Sequence, residues 1–404
     1  MEKQMRHSEI SVVGLGAAIG VTLAMLVQPW AEAGVNKWKP STATNLNGEQ
    51  VYLWNEADNW SAGVPAGDNE ILIAGTGEKR VVLSRGTDRH KMWVGINDSS
   101  KSSAYRGDGE MEIVRDGCLN TGRAGPLVVG RAKDGSVSGI INLRGGSHTH
   151  ASRNNRYTRL GSAVSSGVTG TGIYNVYSGR WEAGRPLYIG YKGKDENSGR
   201  GEVHVYGGTV DLSGGWVELD CQGDGSTTGV FHVSGSKAKS ISGARKWIQK
   251  SNGRLKFGID AGGVTPIEVN SSKYSGNVTF QDGATLDVSF LDGSERIGTW
   301  DVLTWEGNLT DNGLRFADSV DTDTWNFNFV DTKGDGSPDT LRVSAVPDLF
   351  KRIVSVKKLT GRVPDKAINC LVQVLKADRL EDRLAAVETL KQMGKAAAPA
   401  LSAP

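Results

Sequence analysis

A unit of about 30 residues recurs between positions 91 and 236, and it restricts the fold more than any other feature of the sequence. The first four copies have an apolar-x-apolar-Gly segment, a second short strand, a Gly-rich turn and a third short strand. The fifth copy is less regular, with VELD at 217–220 in place of the first segment and no third strand. The clearest copy reads LYIG at 187–190, VHV at 203–205, GG at 207–208 and VDL at 210–212. The last apolar residue of the second strand stands at positions 113, 143, 176, 205 and 233.

The alternation of apolar and polar residues in each segment gives it one face for a core and one face for water. A single copy cannot bury its apolar face, whereas stacked copies bury it against their neighbours, at about 4.8 Å per strand. The repeat therefore predicts an all-β fold, a right-handed parallel β-solenoid over 91–236, with an antiparallel β-sandwich as the alternative. The inward side chains predicted for the second strands are Met111, Ile113, Ile141, Leu143, Tyr174, Val176, Val203, Val205, Phe231 and Val233.

Caps are predicted at both ends of the solenoid, because an end coil exposes its core and its strand edges. Residues 34–90 are the predicted N-terminal cap, in which Trp54 and Trp60 are large enough to cover the core. An aromatic platform for sugars is the other interpretation of this pair. After residue 236 the strict repeat stops, and longer strands predict a β-hairpin-rich C-terminal cap over 237–346.

Residues 1–33 have the pattern of a secretory signal peptide. Lys3 and Arg6 precede an apolar stretch over 10–27, and AEA at 31–33 is a small-x-small cleavage site. An uncleaved anchor is the alternative, because a stretch of this length nearly spans a bilayer. We therefore expect a secreted, extracellular or cell-surface protein with no membrane span in the mature chain.

The net charge bears on possible partners, and the cysteine usage agrees with export. The net charge of +2 implies no strong attraction to nucleic acid. Cys118 and Cys221 fall several coils apart, which is farther than a disulfide reaches, so we expect free thiols at Cys118, Cys221 and Cys370.

Residues 347–404 predict a small α-helical tail, because two sets of apolar residues fall at helical spacing: Leu371, Val372 and Leu375, and then Leu384, Val387 and Leu390. The segment 367–401 resembles a single HEAT repeat. From residue 348 onward, eleven Lys and Arg stand against six Asp and Glu. This excess indicates either an ordinary solvated helical surface or a docking patch for an acidic protein partner.

The motif WNEADNWSAGVP at 54–65, together with the LVVG and GGTV segments of the repeat, carries a family resemblance. It resembles secreted bacterial parallel β-helix proteins of the autotransporter-passenger type, which are common in planctomycete-like lineages. The resemblance covers about residues 54–346 and is a pattern of repeats and caps, not a catalytic signature. It implies a surface or extracellular protein.

Metal sites have two candidates in the sequence, and no other cofactor is expected. Asp331, Asp335 and Asp339 have the spacing of a calcium loop, although Lys333 stands at a ligand position; a polar hairpin loop is the alternative. The pair HTH at 148–150 could place two imidazoles on one side of a strand. In the repeat these positions match core residues, which favours two buried histidines with hydrogen-bond partners.

A ligand surface is predicted where outward residues of the second strands form columns with one residue per coil. One column reads Glu112, Asn142, Asn175, His204, His232, and a second reads Val114, Arg144, Tyr177, Tyr206, Ser234. Tyrosine rings beside amide, imidazole and guanidinium donors suit a sugar chain, and stabilising ladders between stacked strands are the alternative. The residues predicted to bind carbohydrate are Arg144, Asn175, Tyr177, His204, Tyr206 and His232.

The sequence contains no Gly-x-Ser-x-Gly, P-loop, His-Glu-x-x-His or Cys-x-x-Cys motif. We therefore expect a non-enzymatic adhesion, structural or glycan-binding protein, whose partner is an extracellular polysaccharide or a cell-surface protein. The alternative is a polysaccharide lyase or glycoside hydrolase, because enzymes of similar architecture exist and scattered carboxylates could pair in space.

Overall fold

The computed structural model describes residues 36–345 except 38, 40, 42, 47–48, 62–69, 75–80, 99–105, 122–124, 151–156, 166, 184–185, 192–198, 213–214, 221–226, 271–275, 292–295 and 297. The predicted signal peptide, the helical HEAT-like tail, Cys221 and Cys370 lie outside the described residues. Cys118, which is half-buried, forms no disulfide within the described part of the chain. In the part of the chain that is described, no helix has the length and apolar character needed to cross a membrane.

β-strands are nearly all of the regular secondary structure in the described chain, with one 3-10 turn at Ala57–Asn59. In chain order the strands are β1 (Asn36–Lys37), β2 (Thr44–Leu46), β3 (Glu49–Leu53), β4 (Glu70–Ile73), β5 (Val81–Leu83), β6 (Gly86–Asn97), β7 (Gly109–Val114), β8 (Cys118–Thr121), β9 (Leu127–Ala132), β10 (Val137–His150), β11 (Thr158–Ala163), β12 (Gly170–Glu182), β13 (Leu187–Tyr191), β14 (Gly199–Val205), β15 (Gly208–Asp211), β16 (Trp216–Leu219), β17 (Thr228–Ser234), β18 (Ala238–Ser242), β19 (Lys246–Gln249), β20 (Gly253–Ile259), β21 (Ile267–Val269), β22 (Asn277–Phe280), β23 (Thr285–Phe290), β24 (Gly298–Trp305), β25 (Leu309–Asp311), β26 (Arg315–Phe316), β27 (Trp325–Val330) and β28 (Thr340–Ala345).

These strands form the predicted parallel β-solenoid, in which each turn contributes one strand to each of three sheets. Sheet 1 contains β1, β4, the second half of β6, β9, β11, β13, β16, β19, β22 and β25. Sheet 2 contains β3, β5, β7, the first halves of β10 and β12, β14, β17, β20, β23 and β26. Sheet 3 contains the first half of β6, β8, the second halves of β10 and β12, β15, β18, β21 and β24.

The strict sequence repeat covers residues 91–236, but strands before and after this segment also pair in parallel. Parallel pairing begins with β1–β4 and β3–β5, and it continues through β20–β23 to β23–β26. The difference has a physical reason: parallel pairing requires strands of matched length and direction, and it does not require the glycine signature from which the repeat was recognised. Only the last part of the predicted C-terminal cap is antiparallel, where β28 pairs with β24 and with β27.

The core confirms the predicted inward set, because all ten predicted side chains are fully buried. Large aromatic rings fill the middle coils. Tyr174 stacks on Trp181 with ring centroids 4.0 Å apart, and Phe231 meets Trp247 nearly edge-on at 5.3 Å. At the N-terminal end Trp54 and Trp60 are buried against each other, and the Trp60 indole N–H donates to the Trp54 carbonyl oxygen. The structure thus favours the capping role of this pair over an exposed sugar platform.

The pair His148 and His150 is buried in the core, as the repeat predicted. The Thr121 hydroxyl lies 2.9 Å from His148 Nε2 and 2.8 Å from His150 Nδ1, and His148 Nδ1 lies 2.7 Å from the Tyr174 hydroxyl. These bonds offset the cost of burying polar groups. Among the described residues, no three His, Cys, Asp or Glu side chains are placed to hold a metal ion.

The corner between sheets 1 and 2 is occupied by glycine in successive coils. Gly190, which ends the LYIG segment, has φ +71°, and a Cβ on it would lie 2.1 Å from the Thr228 carbonyl oxygen of the following coil. In the fifth copy Asp220 takes this place at φ 57°. Its carboxylate accepts hydrogen bonds from the Thr227 hydroxyl and from the Asn252 backbone N–H, which stabilises a conformation that few residues adopt.

Replacing Gly190 with alanine tests this close contact. Gly167 is the matched control, since it has φ +77° but no atom within 4 Å of the position that a Cβ would occupy. We expect Gly167→Ala to lower the free energy of unfolding by about 1–2 kcal/mol, the cost of left-handed backbone. Gly190→Ala should lose that amount plus about 1–3 kcal/mol for the clash. Equal losses in urea unfolding would contradict a steric role for the corner.

Burial, reinforced by the neighbouring charge of His150, lowers the pKa of His148 to about 3. The folded state keeps this ring neutral, whereas the unfolded chain binds a proton below about pH 6.5. Unfolding therefore takes up a proton between about pH 6.5 and 3, and the free energy of unfolding should fall with falling pH by at most about 1.4 kcal/mol per unit for this group.

Unfolding measured against pH, in the wild type and in His148→Gln, should show the smaller slope in the variant. An NMR titration of the wild-type ring gives a direct check that does not depend on the variant folding. A His148 ring that titrates near pH 6.5 would contradict its buried, neutral state.

Candidate functional site

The two predicted columns lie on the outer face of sheet 2. In the first, Asn142 pairs with Asn175, Asn175 with His204, and His204 with His232, each on neighbouring strands. This register is fixed by the buried residues between the columns, since a slip of one residue would turn the core side chains outward. The structure therefore brings the predicted donors together in one row.

The second column is a stack of rings topped by a cation. The Tyr177 and Tyr206 rings are nearly parallel, at 8°, with centroids 4.9 Å apart. The Arg144 guanidinium carbon lies 4.0 Å from the centre of the Tyr177 ring. A register shift after Leu143 sets Arg144 opposite Ser178, beside Tyr177. Both faces of Tyr177 are thus covered, a restriction that the sequence pattern did not reveal.

Glu202, which was not predicted, orients the row from two residues before His204 on β14. Its Oε2 lies 2.8 Å from His204 Nε2, and its Oε1 accepts a hydrogen bond of 2.6 Å from Arg200 Nε. The hydrogen bond from His204 lowers the pKa of Glu202 to about 2, against the opposing effect of burial and with the help of Arg200. The carboxylate is therefore ionised across the ordinary pH range, and it fixes the orientation of the His204 ring.

The two imidazoles of the row contact each other through like nitrogens. His204 Nδ1 and His232 Nδ1 are 3.2 Å apart, so one of them donates and the other accepts. Burial lowers the pKa of His232 to about 4, and the charges of His204 and Lys256 act in the same direction. His232 is therefore neutral at pH 7, and its Nε2 is buried with no hydrogen-bond partner among the described residues.

Two further carboxylates of this face are paired with cations. Arg144 Nε lies 3.2 Å from Glu112 Oε1, and Lys256 Nζ lies 3.6 Å from Asp287 Oδ2. Burial raises the pKa of Tyr206, as do Tyr177 and Glu202, so its hydroxyl keeps its proton and can donate as well as accept. The face thus offers the Tyr206 hydroxyl between paired charges, whereas the imidazole nitrogens of His204 and His232 contact other side chains or are buried.

Sequence reasoning missed Glu202 and Arg200, although the signal was available. Both lie on β14 at alternate positions before His204, so period two places residues 200, 202 and 204 on one side of the strand. The predicted surface takes in only the two columns that begin with Glu112 and Val114. The column two residues earlier contains Glu110, whose carboxylate accepts a hydrogen bond from Asn142.

The predicted calcium loop forms the turn between β27 and β28. Asp331 accepts backbone hydrogen bonds from Gly334 and Gly336, and Asp339 accepts from the Thr332 hydroxyl. Within the described chain, these contacts leave the three aspartates without the arrangement of a metal site. Calcium binding stays a prediction, and it would require this loop to rearrange.

Comparison of the chain with protein-family models, with curated proteins and with solved structures finds no match. The fold is therefore established by the strand pairing itself, and the likeness to autotransporter passengers rests on the sequence pattern.

Proposed function

We propose that this β-solenoid is a non-enzymatic surface protein that binds glycan chains on the outer face of sheet 2. The observation that carries the proposal is the position of Tyr206. One face of its ring is stacked on Tyr177, and the other face is directed toward the next coil. Two imidazole rings also lie near Tyr206, each with its centroid 6.2 Å from the Tyr206 centroid: the His204 ring is nearly parallel to it and the His232 ring is nearly perpendicular.

The surface beyond Tyr206 is a shallow slot, because the column continues with small residues. Ser234 pairs with Gly258, and Gly258 pairs with Ser289. Leu291, 47% exposed, lies over Gly258, where a Cβ would come within 2.4 Å of its side chain. The slot therefore has an aromatic wall, an aliphatic wall about two strand spacings (~9.6 Å) away, and a polar floor.

This combination suits a sugar ring. The C–H groups of a pyranose pack against an aromatic face, and its hydroxyls need neutral donors and acceptors nearby. The Tyr206 and Ser234 hydroxyls lie at the slot, and His232 borders it with its ring alone, because its Nδ1 contacts His204 and its Nε2 is buried. Binding sites of this kind can repeat along a chain that follows the solenoid axis.

The state of the carboxylates supports binding over catalysis. A glycosidase needs a carboxylic acid that is protonated near neutral pH, with a second carboxylate nearby. Glu202 has a pKa of about 2, and Glu112 is ion-paired with Arg144. A lyase or hydrolase is the alternative function, and turnover on a panel of polysaccharides separates the two.

An extracellular ligand implies export, which we infer from the pattern of residues 1–33. A cell-surface location also accords with the likeness to autotransporter passengers, and the tail over 347–404 is proposed to dock a protein partner. N-terminal sequencing of the protein recovered outside the cytoplasm should give a start after Ala33. Recovery of the full chain in the cytoplasm would contradict export.

Alanine variants of the two tyrosines test the binding face. Because Tyr177 is covered on both faces, Tyr206→Ala should weaken glycan binding more than Tyr177→Ala. We expect a loss of about 1 kcal/mol for Tyr206→Ala, roughly fivefold in affinity, measured by affinity electrophoresis in gels that contain polysaccharide.

The control is Tyr188→Ala, which removes a ring from sheet 1 that lies 5.1 Å from Tyr191. Circular dichroism checks that each variant keeps its strands. If the double variant Tyr177→Ala and Tyr206→Ala folds and is retarded by the polysaccharide gel as strongly as the wild type, this face is not the binding site.

A further inference from the structure

A cavity of about 370 Å³ opens on the same outer face, at the beginning of the sheet 2 strands. Three arginines line it: Arg200 before Glu202 on β14, Arg254 on β20 and Arg315 on β26. Thr285 pairs with both Arg254 and Arg315, so these two arginines are two strand spacings, about 9.6 Å, apart. We call this cavity the arginine groove.

The groove exists because short side chains alternate with long ones. Thr228 lies opposite Arg200, and Thr285 lies between Arg254 and Arg315. Because threonine is short, it leaves space above its strand, and the neighbouring arginines line that space. Threonine hydroxyls also supply hydrogen-bond donors at the floor of the groove.

The positive charge of the groove is only partly compensated. Arg200 contacts Glu202 through Nε, and its side chain remains 60% exposed. Arg254 is 3.8 Å from Asp287, a carboxylate that it shares with Lys256, and it remains 47% exposed. Arg315 forms no ion pair within the described part of the chain, and Asp318 is the one carboxylate on the lining.

Exposed guanidinium groups in a concave site attract and orient anions. A guanidinium group presents two parallel N–H donors to a carboxylate or sulfate, and clustered positive charge raises the local concentration of anions. With Nε of Arg200 bonded to Glu202, its terminal NH2 groups remain for a ligand. An overall charge of +2 gives no hint of this local excess.

The groove and the Tyr206 slot are connected along β14. Arg200, Glu202, His204 and Tyr206 alternate on its outward side, joined by the bonds of Glu202 to both Arg200 and His204. Six residues of extended strand span about 20 Å. A bound chain could therefore place a sugar ring at Tyr206 and an acidic group in the groove.

We propose that the arginine groove binds the carboxylate or sulfate groups of an acidic polysaccharide, so that the glycan bound by this protein is anionic. This inference rests on the proposed glycan-binding function and specifies the ligand class. Recognition uses the oxyanion, which carboxylated and sulfated polymers share.

The test compares the full chain with the variant Arg254→Gln and Arg315→Gln. The matched control is Arg180→Gln, which removes an arginine of sheet 3 that is 59% exposed and is paired with Asp211. Affinity is measured for a polyuronate, for dextran sulfate, for neutral dextran and for a single-stranded oligonucleotide. We expect the double variant to lose about tenfold or more in affinity for the anionic polysaccharides, with the control unchanged.

The polyuronate and dextran sulfate measurements distinguish the carboxylate from the sulfate as the preferred group. If neutral and anionic polysaccharides bind with equal affinity, and the arginine substitutions do not change it, the proposal that the groove binds anions is wrong and the proposal of glycan binding stands. No binding to any polysaccharide would overturn both proposals. Tighter binding of the oligonucleotide than of either acidic polysaccharide, lost in the double variant, would replace the glycan with a nucleic acid.

Discussion

The close approach of backbone within and between coils, at the corner between sheets 1 and 2, is the constraint on which the rest of the structure depends. A Cβ on Gly190 would be 2.1 Å from the Thr228 carbonyl oxygen, and one on Gly201 would be 2.1 Å from the Gly190 nitrogen. Glycine allows the chain to bend there while the coils keep the strand spacing that their hydrogen bonds require. The corner thus fixes where each coil begins, and with it the register of every sheet.

The register between neighbouring coils determines which side chains meet on the outer surface, and these side chains are about 30 positions apart in the sequence. The Tyr177–Tyr206 stack and the contact of His204 with His232 exist because neighbouring coils align without slipping. Along one strand, every second side chain points to the same side of the sheet. On β14 this places Glu202 between Arg200 and His204, and Glu202 forms hydrogen bonds with both. Aromatic, neutral polar and cationic groups thereby come together on one face, although no short motif in the sequence contains them all.

The sequence predicted much of this arrangement, because a period of two and a repeat of about 30 together specify which side chains are neighbours. It could not show that Arg144 and Tyr206 cover both faces of Tyr177, since ring orientation depends on rotamers. Nor could it show that the parallel stack continues after residue 236. There the buried Gln249 amide donates to the carbonyls of Gly253 and Thr285, so side-chain bonds replace the glycine signature.

The antiparallel hairpin of β27 and β28 has a consequence for assembly. A parallel solenoid has strand edges at its ends, and each edge is a template on which another molecule can add. In sheet 3 the edge of β24 is taken by β28, which is in turn covered by the six-residue strand β27 with exposed Asn326 and Asn328. Because β28 runs opposite to the solenoid strands and occupies the edge of β24, a further coil cannot add to β24 in the parallel arrangement that the other coils use.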